Sequence, residues 1–185
     1  MTLLYIVFAI IVVLIVWAVA IYNGLVRLKN QALEAWSGID VQLKRRYELI
    51  PNLVTSVKGY QQHENSVFTN IAQLRSQAMG AQTIADKAQA ESALSLGLSK
   101  LLAVAESYPE LKASANFIDL QQNLSSLEDN IQNARRYYNG VTRDYNSKIQ
   151  SFPDVIIANM FHFTARDFFQ SDNEAAEKVA PKVSF

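Results

Sequence analysis

From Thr2 to Tyr22 the chain reads TLLYIVFAIIVVLIVWAVAIY, without a charge, a proline or a glycine. At a rise of ~1.5 Å per residue the run matches a hydrocarbon core of ~30 Å, and in lipid each backbone amide must find its partner within the segment. One helix meets both demands, so residues 1–22 are expected to form a transmembrane anchor. Leu3 and Leu4 open its apolar surface, Trp17 and Tyr22 lie toward its far end where amphipathic rings favour the interface, and Arg27 and Lys29 follow at once. A cleaved secretion signal is the competing reading, because Ala18-Val19-Ala20 has the small-x-small pattern of a cleavage site. Against it stand the absence of Lys or Arg before the run and a length beyond that of a signal's apolar region. The cations after the span predict that the following domain lies on the cytoplasmic side.

The remainder is long enough for one domain. The 185 residues carry 17 basic and 17 acidic side chains and no cysteine. Balanced charge argues against bulk nucleic-acid binding, where a basic excess supplies most of the affinity. Without cysteine there is no disulfide framework, thiolate zinc site or cysteine nucleophile. The two histidines, His63 and His162, are far apart, and HENSV lacks the second histidine of a zincin helix. Neither the paired Glu-x-x-His of a di-metal bundle nor a glycine-rich phosphate loop is found. The expectation is a non-enzyme with no catalytic residue, metal or cofactor, and with no small-molecule substrate.

Beyond the anchor the periodicity is helical throughout. Leu28, Ala32, Ala35, Ile39 and Leu43 recur at three- and four-residue steps from Leu25, so the anchor is expected to run without a break into the first helix of the domain. Pro51 predicts a kink or boundary there, since it has no amide to donate. A second helix is expected over 52–78 with Gly80 as its stop and Asn65-Ser66 as a weak point. A third is expected over 83–107 with Thr83 as N-cap, and Ser107 is expected to cap the turn SYPEL, with Pro109 in its first turn. Phe117, Leu120, Leu124, Leu127, Ile131, Ala134, Tyr138, Val141 and Tyr145 then alternate steps of three and four, the heptad seam of a long fourth helix. Pro153 ends it or opens a short helix. The fold class is therefore all-α: a single N-terminal transmembrane helix continuing into an elongated antiparallel bundle of about four long helices over 23–169, followed by a flexible tail over 170–185.

Lys44, Arg45 and Arg46 form a basic run in the first helix. Lys44 lies ~33 Å beyond Tyr22 along a straight helix, several times a Debye length of ~8 Å, so the run does not serve the anchor's own bilayer. One reading makes Lys44 a solvated charge, paired to Asp40 one turn earlier, and has one arginine bridge to an acid on another helix. The other makes Asp40, Lys44, Arg45 and Arg46 a contact with a partner or second subunit, joined by Arg135, Arg136 and Tyr138 of the heptad helix. FHFTARDFF, residues 161–169, holds four phenylalanines that either cap the core or form an amphipathic surface for lipid or protein. The terminal KVSF offers Val183 and Phe185 for docking along a sheet edge.

The stretch YNGLVRLKNQALEAWSGIDVQLKRRYELIPNLVTSVKGYQQHE, residues 22–64, closely resembles the LemA family of bacterial membrane-anchored proteins. YPELKASANFIDLQQNLSSLEDNIQNARRYYNGVTRDYNSKIQSFP and ANMFHF extend the resemblance over nearly all of the chain beyond the anchor. Ala32 stands where the family often has a branched apolar residue, Leu127 where threonine is common, and His162 where glycine is frequent. The resemblance implies a single-pass inner-membrane protein with a helical-bundle domain and no known catalytic residue or cofactor. A MamQ-like branch is linked to magnetosome membrane formation, which favours membrane organisation. Two roles are open: a self-associating scaffold that organises or shapes the bilayer as a homo-oligomer, and an adaptor whose tail recruits a membrane protease or envelope protein.

Overall fold

The computed structural model describes residues 1–59 and 65–170, and the described residues are helical with no strand. Six helices follow in order: α1 Thr2–Lys58, α2 Asn65–Gly80, α3 Ile84–Ala105, α4 Pro109–Lys112, α5 Ala115–Gln150 and α6 Asp154–Met160. The four long ones are the expected bundle helices, and the N-terminal apolar run does pass unbroken into the helix that follows it. The expected tail beyond Gln170, with Val183 and Phe185, and His63 lie outside the described residues.

Among the described residues contacts form two compact units, 1–37 with 136–167, and 38–59 and 65–135 with 168–170. In the first, Leu25, Tyr145, Ile149, Ile157 and Ala158 form a buried core against which Ala18, Ile21, Leu28 and Phe163 pack. Trp36 meets Tyr138 edge-on, with ring centroids 5.4 Å apart. Lys148 Cε would lie 3.6 Å from a Cβ added at Gly24, and with the meeting of Trp36 and Tyr138 this means that α1 and α5 run antiparallel here. After α6 the chain turns back along α5. The hydroxyls of Tyr145 and Tyr138 donate to the carbonyls of Thr164 and Asp167 at 3.0 and 2.8 Å, and the Asn146 amide both donates to and accepts from the backbone of Arg166. Burial raises the Tyr145 pKa, with Arg166 opposing, so this phenol stays protonated as a donor.

In the second unit four helices alternate in direction. Tyr47 and Lys58 of α1 meet Arg75 and Phe68 of α2 respectively, an antiparallel order. Gly97 of α3 lies so close to α2 that an added Cβ would come within 2.9 Å of Leu74 Cδ1. Asp40 meets Lys87 while Arg46 meets Glu91 and Ser95, so α3 runs the same way as α1. Thr83 caps α3 as expected, its hydroxyl accepting from the Asp86 amide at 3.0 Å. Along α5, Phe117, Leu124, Ile131, Tyr138 and Tyr145 are all buried at seven-residue spacing, and Leu120, Leu127, Ala134 and Val141 between them are half-buried.

Several local expectations give way to tertiary context. Residues 52–58 belong to α1, and the second helix starts at Asn65 rather than passing through it. The N-cap before Pro109 is Tyr108, which makes no side-chain cap bond, so Ser107 is not the cap. Pro153 opens α6 as its N-cap. At the other end of α6, His162 has φ 56°, the left-handed conformation usual for glycine at this position. Its amide reaches Asn159 O and that of Phe163 reaches Ala158 O, completing a Schellman turn. The turn at His162 forms without a glycine.

Pro51 neither ends nor divides α1. Its missing amide would leave the Tyr47 carbonyl without a helical donor, and Arg75 Nε donates to that carbonyl at 2.8 Å. The break in the ladder is thus repaired from a neighbouring helix. Arg75→Ala should destabilise the protein by ~1–2 kcal/mol in the native background, and by clearly less beside Pro51→Ala, which restores the amide. Denaturant unfolding of the four proteins in detergent measures the coupling, and equal losses in both backgrounds would refute the repair.

Candidate functional site

Arg46 and Glu91 each fall on the apolar stripe of their own helix. Along α1 the inward positions run Ile39, Leu43, Arg46-Tyr47, Ile50, Leu53 and Val57, and along α3 they run Ala88, Glu91, Leu94, Leu98 and Leu101. A charge of each sign is therefore carried into one core, where it needs a partner. Arg46, 1% exposed, pairs through Nη2 with Glu91 Oε2. Its Nη1 donates to Glu128 Oε1 of α5 at 2.6 Å and to Ser95 Oγ at 2.9 Å. The adjacent Tyr47 hydroxyl donates to Glu91 Oε1. One guanidinium thus joins α1, α3 and α5, and Glu91 engages two successive residues of α1.

Beside this network lies a cavity of about 240 Å³ whose walls include Ser92, Ser99, Gln132, Arg135 and Phe169. The Arg135 guanidinium lies over the Phe169 ring, 5.2 Å from its centroid. Arg45, the next residue of the basic run, points elsewhere. With Glu48, Leu49, Asn52, Leu127 and Asn130 it lines an open groove of about 470 Å³.

The residues expected at an interface are therefore distributed. Lys44, Arg45 and Arg136 are exposed, while Arg46 and Tyr138 are buried. The expected Asp40–Lys44 pair is replaced by Asp40–Lys87 at 3.1 Å, since α3 brings a cation within reach. The reading in which one arginine bridges to another helix describes Arg46. Tyr47, Arg75, Glu91, Ser95 and Glu128 were not expected at a site. The signal that could have found Glu91 is an acid at a stripe position of α3.

The anchor residues are placed otherwise. Leu3, Leu4, Trp17 and Tyr22 are exposed, and none of the most apolar window of α1 is buried. Among the described residues, α1 is the one helix long and apolar enough to cross a membrane.

The LemA family model matches residues 35–185. The chain belongs to the LemA family. Its relatives include Protein LemA of Metamycoplasma hominis, 31% identical over 84% of this chain and 74% of that protein. Magnetosome protein MamQ 2 of Paramagnetospirillum magneticum is 23% identical over 80% of this chain and 64% of its own length, and magnetosome protein MamQ of Magnetospirillum gryphiswaldense is 22% identical over the same shares. The matched region contains all of the Arg46 network. With its N-terminal apolar helix, this LemA-family chain is a membrane-associated protein.

Removing one partner of a buried ion pair leaves the other uncompensated, so Arg46→Met should cost ~3–5 kcal/mol, while Arg46→Met with Glu91→Leu should recover most of that loss. Thermal unfolding of the two variants separates a paired charge from a dispensable one.

Burial pushes the Tyr47 phenol up to about 12, with Arg46 and Arg75 pulling it down and Asp40 adding to the rise. An unfolded tyrosine titrates near ~10, so above that pH the unfolded chain loses a proton that the fold retains, and stability falls. Tyr47's contribution is full below pH ~10 and lost as pH rises through ~12. Urea midpoints of the native protein and Tyr47→Phe should therefore converge across that window; a constant gap would contradict the shift.

Proposed function

We propose that the protein is a non-enzymatic, single-pass scaffold of the bacterial inner membrane, with its domain in the cytoplasm, that self-associates and organises or shapes the bilayer. The observation that carries this reading is the unbroken α1, whose first part is bare and apolar and whose later part is built into a helical domain. Arg27 and Lys29 after the apolar run favour the cytoplasmic side. The exposed members of the expected contact set in the second unit, Lys44 and Arg45, supply charged surface for a second copy, and the groove beside Arg45 offers polar partners. The MamQ relatives carry magnetosome in their names, and a role in organising membrane is consistent with that kinship.

The mass of the full-length protein in nanodiscs and in mild detergent tests the reading. A defined homo-oligomer that dissociates when Lys44 and Arg45 are both changed to Glu is the expected result. A monomer in both media would refute the scaffold and favour the adaptor, whose partner would then be lost on deleting Lys182–Phe185.

A further inference from the structure

The first unit carries an apolar surface that its own core does not use. α6 turns Ile157 and Ala158 inward, while Ile156 and Met160, one turn apart on its outer side, are 52% and 59% exposed. Phe152, in the turn before α6, is 82% exposed, and Phe161, just after it, is 53% exposed. Four large apolar side chains within ten residues thus face outward beside a helix that is itself apolar.

The level of that surface along α1 is fixed by contacts. A span of ~30 Å starting at Thr2 ends near Ile21. Ala18 and Ile21 both pack against the core that Ile157 and Ala158 of α6 help to form, so this core begins ~5 Å short of the end of the span. The Phe161 ring lies on Tyr22 with centroids 4.8 Å apart, and Tyr22 is the last residue of the apolar run. Charges follow the same order. Arg27 is exposed about one and a half turns beyond Tyr22, and Lys29 lies 5.9 Å from the centroid of the Phe163 ring. The acid of α6, Asp154, is neutralised by Lys148 at 3.1 Å.

We propose that the outer face of the α5–α6 turn and α6, formed by Phe152, Ile156, Met160 and Phe161, seats in the interfacial layer of the bilayer that α1 crosses. A short amphipathic element sinks its apolar side into the boundary between headgroups and acyl chains, and here α1 delivers it at that depth. Arg27 and Lys29 then stand at the level of the lipid phosphates. The proposal rests on the anchor reading of residues 1–22, and its test separates the two.

The chain has no cysteine, so Val13→Cys, Met160→Cys and Ser76→Cys, all at exposed positions, each give the full-length protein one nitroxide site. In nanodiscs of phosphatidylcholine and phosphatidylglycerol, collision with oxygen reports lipid and collision with a water-soluble nickel chelate reports solvent. The expected result is a label at Met160 that, like that at Val13, is open to oxygen and several-fold less accessible to the chelate than that at Ser76. A label at Met160 as accessible to the chelate as that at Ser76, with Val13 protected, would overturn the proposal and leave the anchor intact. Shielding of Met160 from both reagents would overturn it in favour of a protein occupant such as a second copy. Chelate access at Val13 would refute the anchor reading, and the proposal with it.

Discussion

A positive charge in a helical core is tolerated only if the fold builds its counter-charges around it, and Arg46 imposes that condition on three helices at once. Its guanidinium fixes the axial and rotational positions of Glu91 on α3 and Glu128 on α5, because an offset of one residue on either helix would turn the carboxylate by ~100°. Apolar side chains tolerate such slips more readily, since burial is non-directional. The network therefore supplies register where the surrounding leucines and isoleucines supply cohesion. Tyr47 adds a second point of contact to Glu91 from the neighbouring position of α1, so rotation of α3 would cost both bonds.

The same helix shows how a local defect is absorbed. Pro51 interrupts the ladder of α1, yet the freed carbonyl is satisfied by Arg75. Arg46, Tyr47 and Pro51 occupy little more than one turn, and side chains of α2, α3 and α5 converge on it. The described part of the second unit is thus organised about a short segment of α1 where an apolar stripe, a buried charge and a missing amide coincide.

What was legible beforehand is what periodicity encodes. The heptad from Phe117 to Tyr145 reads directly into the buried stripe of α5, and the absence of proline between Thr2 and Leu43, with the apolar steps from Leu25 to Leu43, reads into a continuous helix. Errors arose where a local rule met a tertiary answer. Pro51 reads as a kink or a boundary, and the boundary does not form because Arg75, 24 residues away in sequence, satisfies the freed carbonyl. Asp40 looked like a partner of Lys44 because helical spacing is visible and a facing helix is not. Ser107 looked like a cap by residue type alone, and the turn at His162 formed in a residue less suited than glycine. Of the candidate site, the basic run was recognised, but the identity of its one buried member depended on which face of α1 meets α3 and α5. No single-helix pattern contains that information.

If α1 crosses the bilayer and the outer face of α6 seats at its surface, as proposed, the placement of the first unit's core beside Ala18 and Ile21 sets that unit's footprint in the membrane. Through most of the bilayer the cross-section would be that of one helix, about 10 Å wide, whereas at the α6 end the headgroup layer would also hold a turn and a short helix. Unequal areas in two leaflets are relieved by bending, with the more crowded leaflet on the convex side. A few such wedges held side by side would convert a packing detail at the end of an anchor into local curvature.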